Sequence, residues 1–386
     1  MKIYCVLCDS AYFPMDQIKQ IADKNDATYL TQVSNSWTLS SVVPMTTGKF
    51  TSDIMYHGLP WEYSKPEIVE KQLQAWSTDV IQHEMLKRDW DMHYHNNTCL
   101  YTLLYGNKKI KQTSITCPET EIEVDGVWGE PRTIDLLFGD SQESIDFHNK
   151  EIDYIKRFQS EKVTKNKFYL LAYQHLHAAI GTGQDLDKVP EKIDLSKAND
   201  RLIDLIDSWD FNEPDSVFIF FSDHGNFRLV DRWMSPPHAW LTWAIIKDNT
   251  QDHKIQKKLI SIRDIYKLLS DKVGFEYSTT DREDLESIFT DQDKDRIYFG
   301  EDGRSIVDPA HSTTATAIKV LEWQDNGYPK KFMQLSYHKP VNGFITFIFD
   351  AITEELTTSE QIDGELFRSL INRFDWVREK LWMKGV

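Results

Sequence analysis

Apolar residues fall into two kinds of run along this chain, and their alternation sets out an architecture. Ile3-Tyr4-Cys5-Val6-Leu7-Cys8 and Val217-Phe218-Ile219-Phe220-Phe221 are continuous apolar stretches, the pattern of strands buried on both faces of a parallel sheet. A further strand starts at Phe168 and runs toward His175 and His177, and residues 27–33 read as another. Other segments carry apolar residues at helical spacing: Ile18, Ile21 and Ala22; Ile68, Val69, Leu73, Trp76 and Val80 in a stretch opened by Pro66; residues 146–158; and Leu202, Ile203, Leu205, Ile206 and Trp209. A helix over 264–273 closes the series. An acidic, turn-rich stretch at 278–295 follows, and then strands at 296–299, 315–323, 331–337 and 344–349. Leu366, Leu370, Phe374, Val377 and Leu381 mark one last helix. The expectation is an α/β protein. A mostly parallel central sheet flanked by helices occupies residues 1–285, and a C-terminal α+β subdomain with a small antiparallel sheet and a terminal helix occupies 286–386.

Composition narrows the partners. With 386 residues the chain can bury the core of one large domain and a smaller one, and its net charge of −17 argues against nucleic acid, whose phosphates need a basic surface. No apolar run approaches the ~18 residues needed to span a bilayer, so no membrane insertion is expected. Met1 runs directly into the first strand with no leader pattern, and the four cysteines show no metal-ligand spacing; a cytoplasmic protein with reduced thiols is the expectation.

Chemistry enters where the strands end. In an open α/β sheet, ligands bind at the carboxyl ends of parallel strands. Asp9 follows the first strand at once, and Ser222-Asp223-His224-Gly225 follows the strand at 217–221. Thr38, in Trp37-Thr38-Leu39-Ser40-Ser41, places a hydroxyl at the start of a helix just after a strand; the unpaired N–H groups there suit an anionic ester. Taken alone, Thr38 reads first as an ordinary helix cap, and the case for a nucleophile depends on what the rest of the chain supplies. Two carboxylates, an imidazole and a hydroxyl converging on one place suit a divalent cation. His93 and His95 alternate along a strand that ends in Asn96 and Asn97, and His175 and His177 would share a face if the strand from Phe168 persists. Arg228, Arg232 and His238 follow the Asp223 segment, and Arg232 suits a bidentate grip on phosphate or sulfate.

These residues together resemble the sulfatases and phosphodiesterases of the alkaline phosphatase superfamily. Thr38 precedes Thr47-Gly48 by the interval that separates the nucleophile from a Thr-Gly there, and Ser222-Asp223-His224-Gly225 looks like the later metal motif. Phe168 to His177 resembles the middle strand ending in a substrate-facing His, here His177. Ser261-Ile262-Arg263-Asp264 resembles the segment after the site, and Phe347-Ile348-Phe349-Asp350 with Glu354 and Glu355 the C-terminal hairpin. His93-Tyr94-His95-Asn96-Asn97 is similar to the "HGNN" stretch of lipoteichoic-acid synthases, which use a Thr nucleophile.

The resemblance implies a metal site of Asp9, Thr38, Asp223 and His224, with Thr38, His177 and Arg232 catalytic and His95, Asn96, His175 and His238 contacting substrate. Where sulfatases carry a C-x-P-x-R pattern, this chain has Thr38, Ser40 and Val42, and Thr does not yield formylglycine. A Thr alkoxide can instead attack phosphorus. Tyr173 stands where phosphodiesterases place a second-metal Asp, and Ser10 where sulfatases place the second of two paired Asp residues, so one divalent cation is expected, Mn or Zn before Ca. The expected activity is hydrolysis or transfer of a small anionic phosphate ester through a phospho-Thr38 intermediate. A sulfate-ester hydrolase working without formylglycine and a non-catalytic anion-binding protein are the alternatives.

Overall fold

The computed structural model describes residues 1–8, 11, 16–35, 41, 44–45, 48, 50, 84–85, 87–96, 139–173, 175–176, 195–225, 237–276, 285–302, 314–339 and 342–382, with backbone alone at 92–96, 172, 195, 238, 302 and 382. The apolar runs form the strands of one sheet: β1 (Lys2–Cys8), β2 (Thr28–Val33), β3 (Asp91–Asn96), β4 (Lys167–Tyr173), β5 (Ser216–Phe221), β6 (Leu241–Asp248) and β7 (Leu259–Ser261). Their order is β3-β4-β1-β5-β6-β2-β7. Every described strand but β6 runs the same way, because β6 pairs antiparallel with both β5 and β2 while the other neighbours pair in parallel.

Alternation along β1 explains why its whole run is apolar. Tyr4, Val6 and Cys8 face one core, beneath α1 (Asp16–Lys24), α2 (Gln142–Ser160) and α3 (Leu195–Asp207), whereas Ile3, Cys5 and Leu7 face another. That second core is closed by α5 (Ile262–Val273), which follows the short α4 (Pro237–Trp240) in the chain. Strand register stacks the aromatic rings on the first face: Tyr4 pairs with Tyr169 and with Phe218, and the ring centroids lie 4.9 and 5.2 Å apart. Such pairs add about 0.5–1.5 kcal/mol each beyond their burial. At the amino edge of the sheet the buried Lys2 ammonium donates to the carbonyls of Phe158 and Gln159 at the end of α2, where the helix dipole favours a cation. The carboxyl edge is left for the residues with chemistry.

A second, antiparallel sheet has the order β12-β11-β10-β9-β8, built from β8 (Tyr298–Asp302), β9 (Thr314–Trp323), β10 (Pro329–His338), β11 (Gly343–Asp350) and β12 (Leu356–Ser359). The β11–β12 hairpin carries Glu354 and Glu355 in its turn, at the hairpin read from the sequence. Two helices, α6 (Gly364–Arg373) and α7 (Asp375–Trp382), supply Leu366, Leu370 and Val377 to the core beneath this sheet. The two sheets share a core of Val33, Leu241 and Leu259 from the first, Trp240 from α4, and Tyr298, Ile318, Phe332 and Phe349 from the second. Gly300 permits that contact: a Cβ there would lie 2.5 Å from the Trp240 ring and 2.9 Å from the Ser34 carbonyl.

The fold is the expected α/β arrangement, with local differences. The terminal helix is two, broken at Phe374, whose extended backbone lets its N–H close α6 on Leu370 before α7 starts. Strand β4 ends at Tyr173 and does not persist, so His175 and Leu176 are helical and the shared strand face supposed for His175 and His177 does not exist at His175. Most of the helix expected from Pro66 lies outside the described residues. No helix among the described residues is long and apolar enough to cross a membrane.

Candidate active site

The carboxyl ends of β3, β4, β1 and β5 lie side by side, since Cys8 pairs with Tyr173, Leu7 with Phe221 and Asn96 with Ala172. Past the end of β5 the chain turns through Ser222, Asp223, His224 and Gly225, all buried. The turn is pinned from several sides. Ser222 N–H donates to the Trp243 carbonyl, Gln32 Nε2 donates to the Ser222 carbonyl at 2.7 Å, and Gly225 N–H donates to the Ala239 carbonyl. Ser41 Oγ donates to the Asp223 carbonyl at 2.6 Å and accepts from Asn35 N–H, and Asn35 Oδ1 in turn accepts from Glu301 N–H of β8.

Within that frame Asp223 is 0% and His224 4% exposed. Asp223 Oδ1 accepts the His224 N–H at 2.9 Å, which fixes the carboxylate. His224 Nδ1 lies 2.9 Å from the Gly225 carbonyl, and because a carbonyl only accepts, Nδ1 carries the proton and Nε2 presents its lone pair. That Nε2 is 3.6 Å from Asp223 Oδ2, close to the separation of two donors around one cation. An oriented imidazole with one nitrogen tied to a carbonyl and the other facing a carboxylate is the arrangement of a metal-ligating His. The donor set therefore fits a borderline divalent cation.

Of the predicted ligands, Asp223 and His224, neighbours in the chain, are the two whose side chains are described. Asp9, Thr38, His177 and Arg232 lie outside the described residues. His95 and Asn96 end β3, at the same sheet edge, and His238 lies in α4, each described by its backbone alone. His175 is wholly buried against α2, beside Glu151. Tyr173 is buried, and burial above all, with the Glu151 charge next, holds its phenol far above the usual range, so it stays protonated.

Two further features were not read from the sequence. Arg263, buried in α5, donates from Nε and Nη2 to the Gly48 carbonyl at 3.0 and 2.9 Å, and its guanidinium stacks 4.5 Å from the Phe50 ring centroid. It thus ties Gly48 to α5, and Gly48 itself has φ +69°. His148, Glu151 and His175 form a buried cluster with donor atoms within 4.8 Å of one another. A His and a Glu three residues apart on a predicted helix were the available signal for it.

No protein-family model matches the chain, and no curated protein sequence matches it. Solved structures do. A protein in the alkaline phosphatase superfamily from Vibrio parahaemolyticus is similar over 98% of this chain and 86% of its own, with TM-score 0.54 and 11% identity. Ps i-CgsB, solved in complex with k-i-k-neocarrahexaose, covers 98% of this chain and 91% of its own, with TM-score 0.51 and 10% identity. The phosphonate monoester hydrolase SpPMH from Silicibacter pomeroyi covers 100% and 94%, with TM-score 0.50 and 10% identity. The chain has the fold of the alkaline phosphatase superfamily, as the Thr38, Asp223 and His224 motifs led one to expect.

Proposed function

We propose that this chain is a metal-dependent hydrolase or transferase of phosphate esters that works through a covalent phospho-Thr38 intermediate. The observation that carries the reading is the buried Asp223–His224 pair, held 3.6 Å apart at the carboxyl edge of the sheet with the imidazole tautomer set by Gly225. In this proposal Asp9 and Thr38 complete the ligand set. A divalent cation bound there supplies Lewis-acid stabilisation and lowers the pKa of a bound hydroxyl. Thr38 Oγ attacks phosphorus, and His177 or His95 gives a proton to the departing alcohol. Backbone N–H groups at Thr38 and Leu39, with Asn96 or Arg232, hold the phosphoryl oxygens. His238 completes the substrate contacts, and His175, wholly buried beside Glu151, is left out of them. Water or a second alcohol then takes the phosphoryl group from Thr38. A similar fold in a phosphonate monoester hydrolase supports this reaction class.

The test is metal content followed by turnover of aryl phosphate monoester, diester and sulfate, with wild type, Thr38→Ala and Asp223→Asn in parallel. The expected outcome is phosphate-ester cleavage that falls about 10³-fold or more in Thr38→Ala, as when a nucleophile is removed. Sulfate release in place of phosphate would move the protein to the sulfate-ester class. No turnover of any of the three would leave anion binding without catalysis.

A further inference from the structure

A second cluster of donors, made of residues other than Asp223 and His224, is assembled between one helix and the end of one strand. His148 and Glu151 lie three residues apart on α2 and share its inward face, and His175 follows β4. They are 5%, 3% and 0% exposed. His175 Nε2 is 3.4 Å and His148 Nδ1 3.9 Å from the same oxygen, Glu151 Oε2. Donors around a four-coordinate zinc with bonds of about 2.0–2.1 Å sit about 3.3–3.4 Å apart, so these separations lie close to ligation and are too long for good hydrogen bonds.

Two further observations point the same way. Among the described residues, His148 Nδ1, both Glu151 oxygens and both His175 nitrogens make no hydrogen bond. A carboxylate buried like this costs several kcal/mol unless a positive charge or donors meet it. The other nitrogen of His148, Nε2, lies 2.6 Å from Asp204 Oδ2 on α3. Asp204 thereby holds the Nε2 proton and turns the Nδ1 lone pair toward Glu151, the carboxylate–imidazole relay that backs metal-bound histidines.

We infer that His148, Glu151 and His175 form a structural site for a divalent cation, zinc above all, that ties α2 to the end of β4. Two imidazoles and a carboxylate able to bind through both oxygens give four donor atoms from protein alone, and their burial closes the site to substrate. This gives His175 the role of a ligand and does not rest on ester cleavage at Thr38.

Zinc-soaked crystals of the full chain, measured on either side of the zinc absorption edge, should show an anomalous peak between these three side chains. In solution, chelator-stripped wild type should take up one equivalent of zinc more than Glu151→Gln, with His148→Gln as the second variant if that one fails to fold. Cobalt added to Asp223→Asn should give tetrahedral d–d absorption that Asp223→Asn/Glu151→Gln lacks. A peak here with none at Asp223 supports this site while rejecting the proposed ester chemistry, so the two readings fail separately. No peak at saturating zinc, or equal uptake by wild type and both variants, overturns the inference.

Discussion

Gly48→Ala tests how the segment after Thr38 is held. Gly48 sits at φ +69°, where a side chain costs about 1–2 kcal/mol. A Cβ there would also lie 2.7 Å from the Tyr266 ring, and overpacking of that kind costs about 1–3 kcal/mol. Together the loss is about 2–5 kcal/mol. For 386 residues unfolding together, with an entropy of about 0.8 kcal/mol/K, Tm should fall by about 2–6 °C. The two contributions separate in a double-mutant cycle. In a Tyr266→Ala background the ring is gone, and Gly48→Ala should cost only the backbone share of about 1–2 kcal/mol. Urea denaturation of the four proteins reads the coupling directly. An equal cost in both backgrounds would refute the steric argument, and a cost below about 1 kcal/mol in the parent would refute the backbone argument as well.

Two further outcomes follow from buried charge. Arg296 grips Asp264 through two bonds of 2.6 and 2.9 Å, and Asp264 also caps α5 through the Ser261 N–H. Arg296→Met should cost about 3–5 kcal/mol by stranding a buried carboxylate, and Asp264→Asn in the same chain should recover part of it; a double variant no better than the sum of the singles would contradict this. His338 is buried and its pKa is pushed down to about 4. The unfolded chain then binds the extra proton first, so stability is full above pH about 6.5 and falls as pH drops toward 4, by about 2–4 kcal/mol for this group. His338→Gln should flatten that part of a Tm-versus-pH curve, and an unchanged slope would show that another group carries it.

Most of the framework was legible in the chain itself. Continuous apolar runs such as Ile3 to Cys8 and Val217 to Phe221 have one physical use, a strand covered on both faces, and both are central strands. Asp223 and His224 were legible because a strand's end fixes their place without any knowledge of distant loops. The direction of β6 was not, since Leu241 to Asp248 is as apolar as its neighbours and pairing direction leaves no mark in composition. Phe374 kept the helical spacing on both sides of a break, so one helix was expected where two exist. His175 looked like a strand residue because the apolar run gives no sign of where it stops. Its meeting with His148 and Glu151 depends on how α2 is laid against β4, a tertiary fact.

The relay from Glu301 through Asn35 and Ser41 to the Asp223 carbonyl, together with the seating of Trp240 on Gly300, bears on how such a protein can be cut and recombined. A gene encoding only the first sheet would expose the Trp240 face and leave Asn35 without the neighbour that orients it. Grafting a foreign second half would require a glycine opposite Trp240 and a backbone N–H aimed at Asn35. The two sheets are therefore matched to each other at this seam, and an exchange of either one for a foreign module is expected to destabilise the chain unless both contacts are rebuilt.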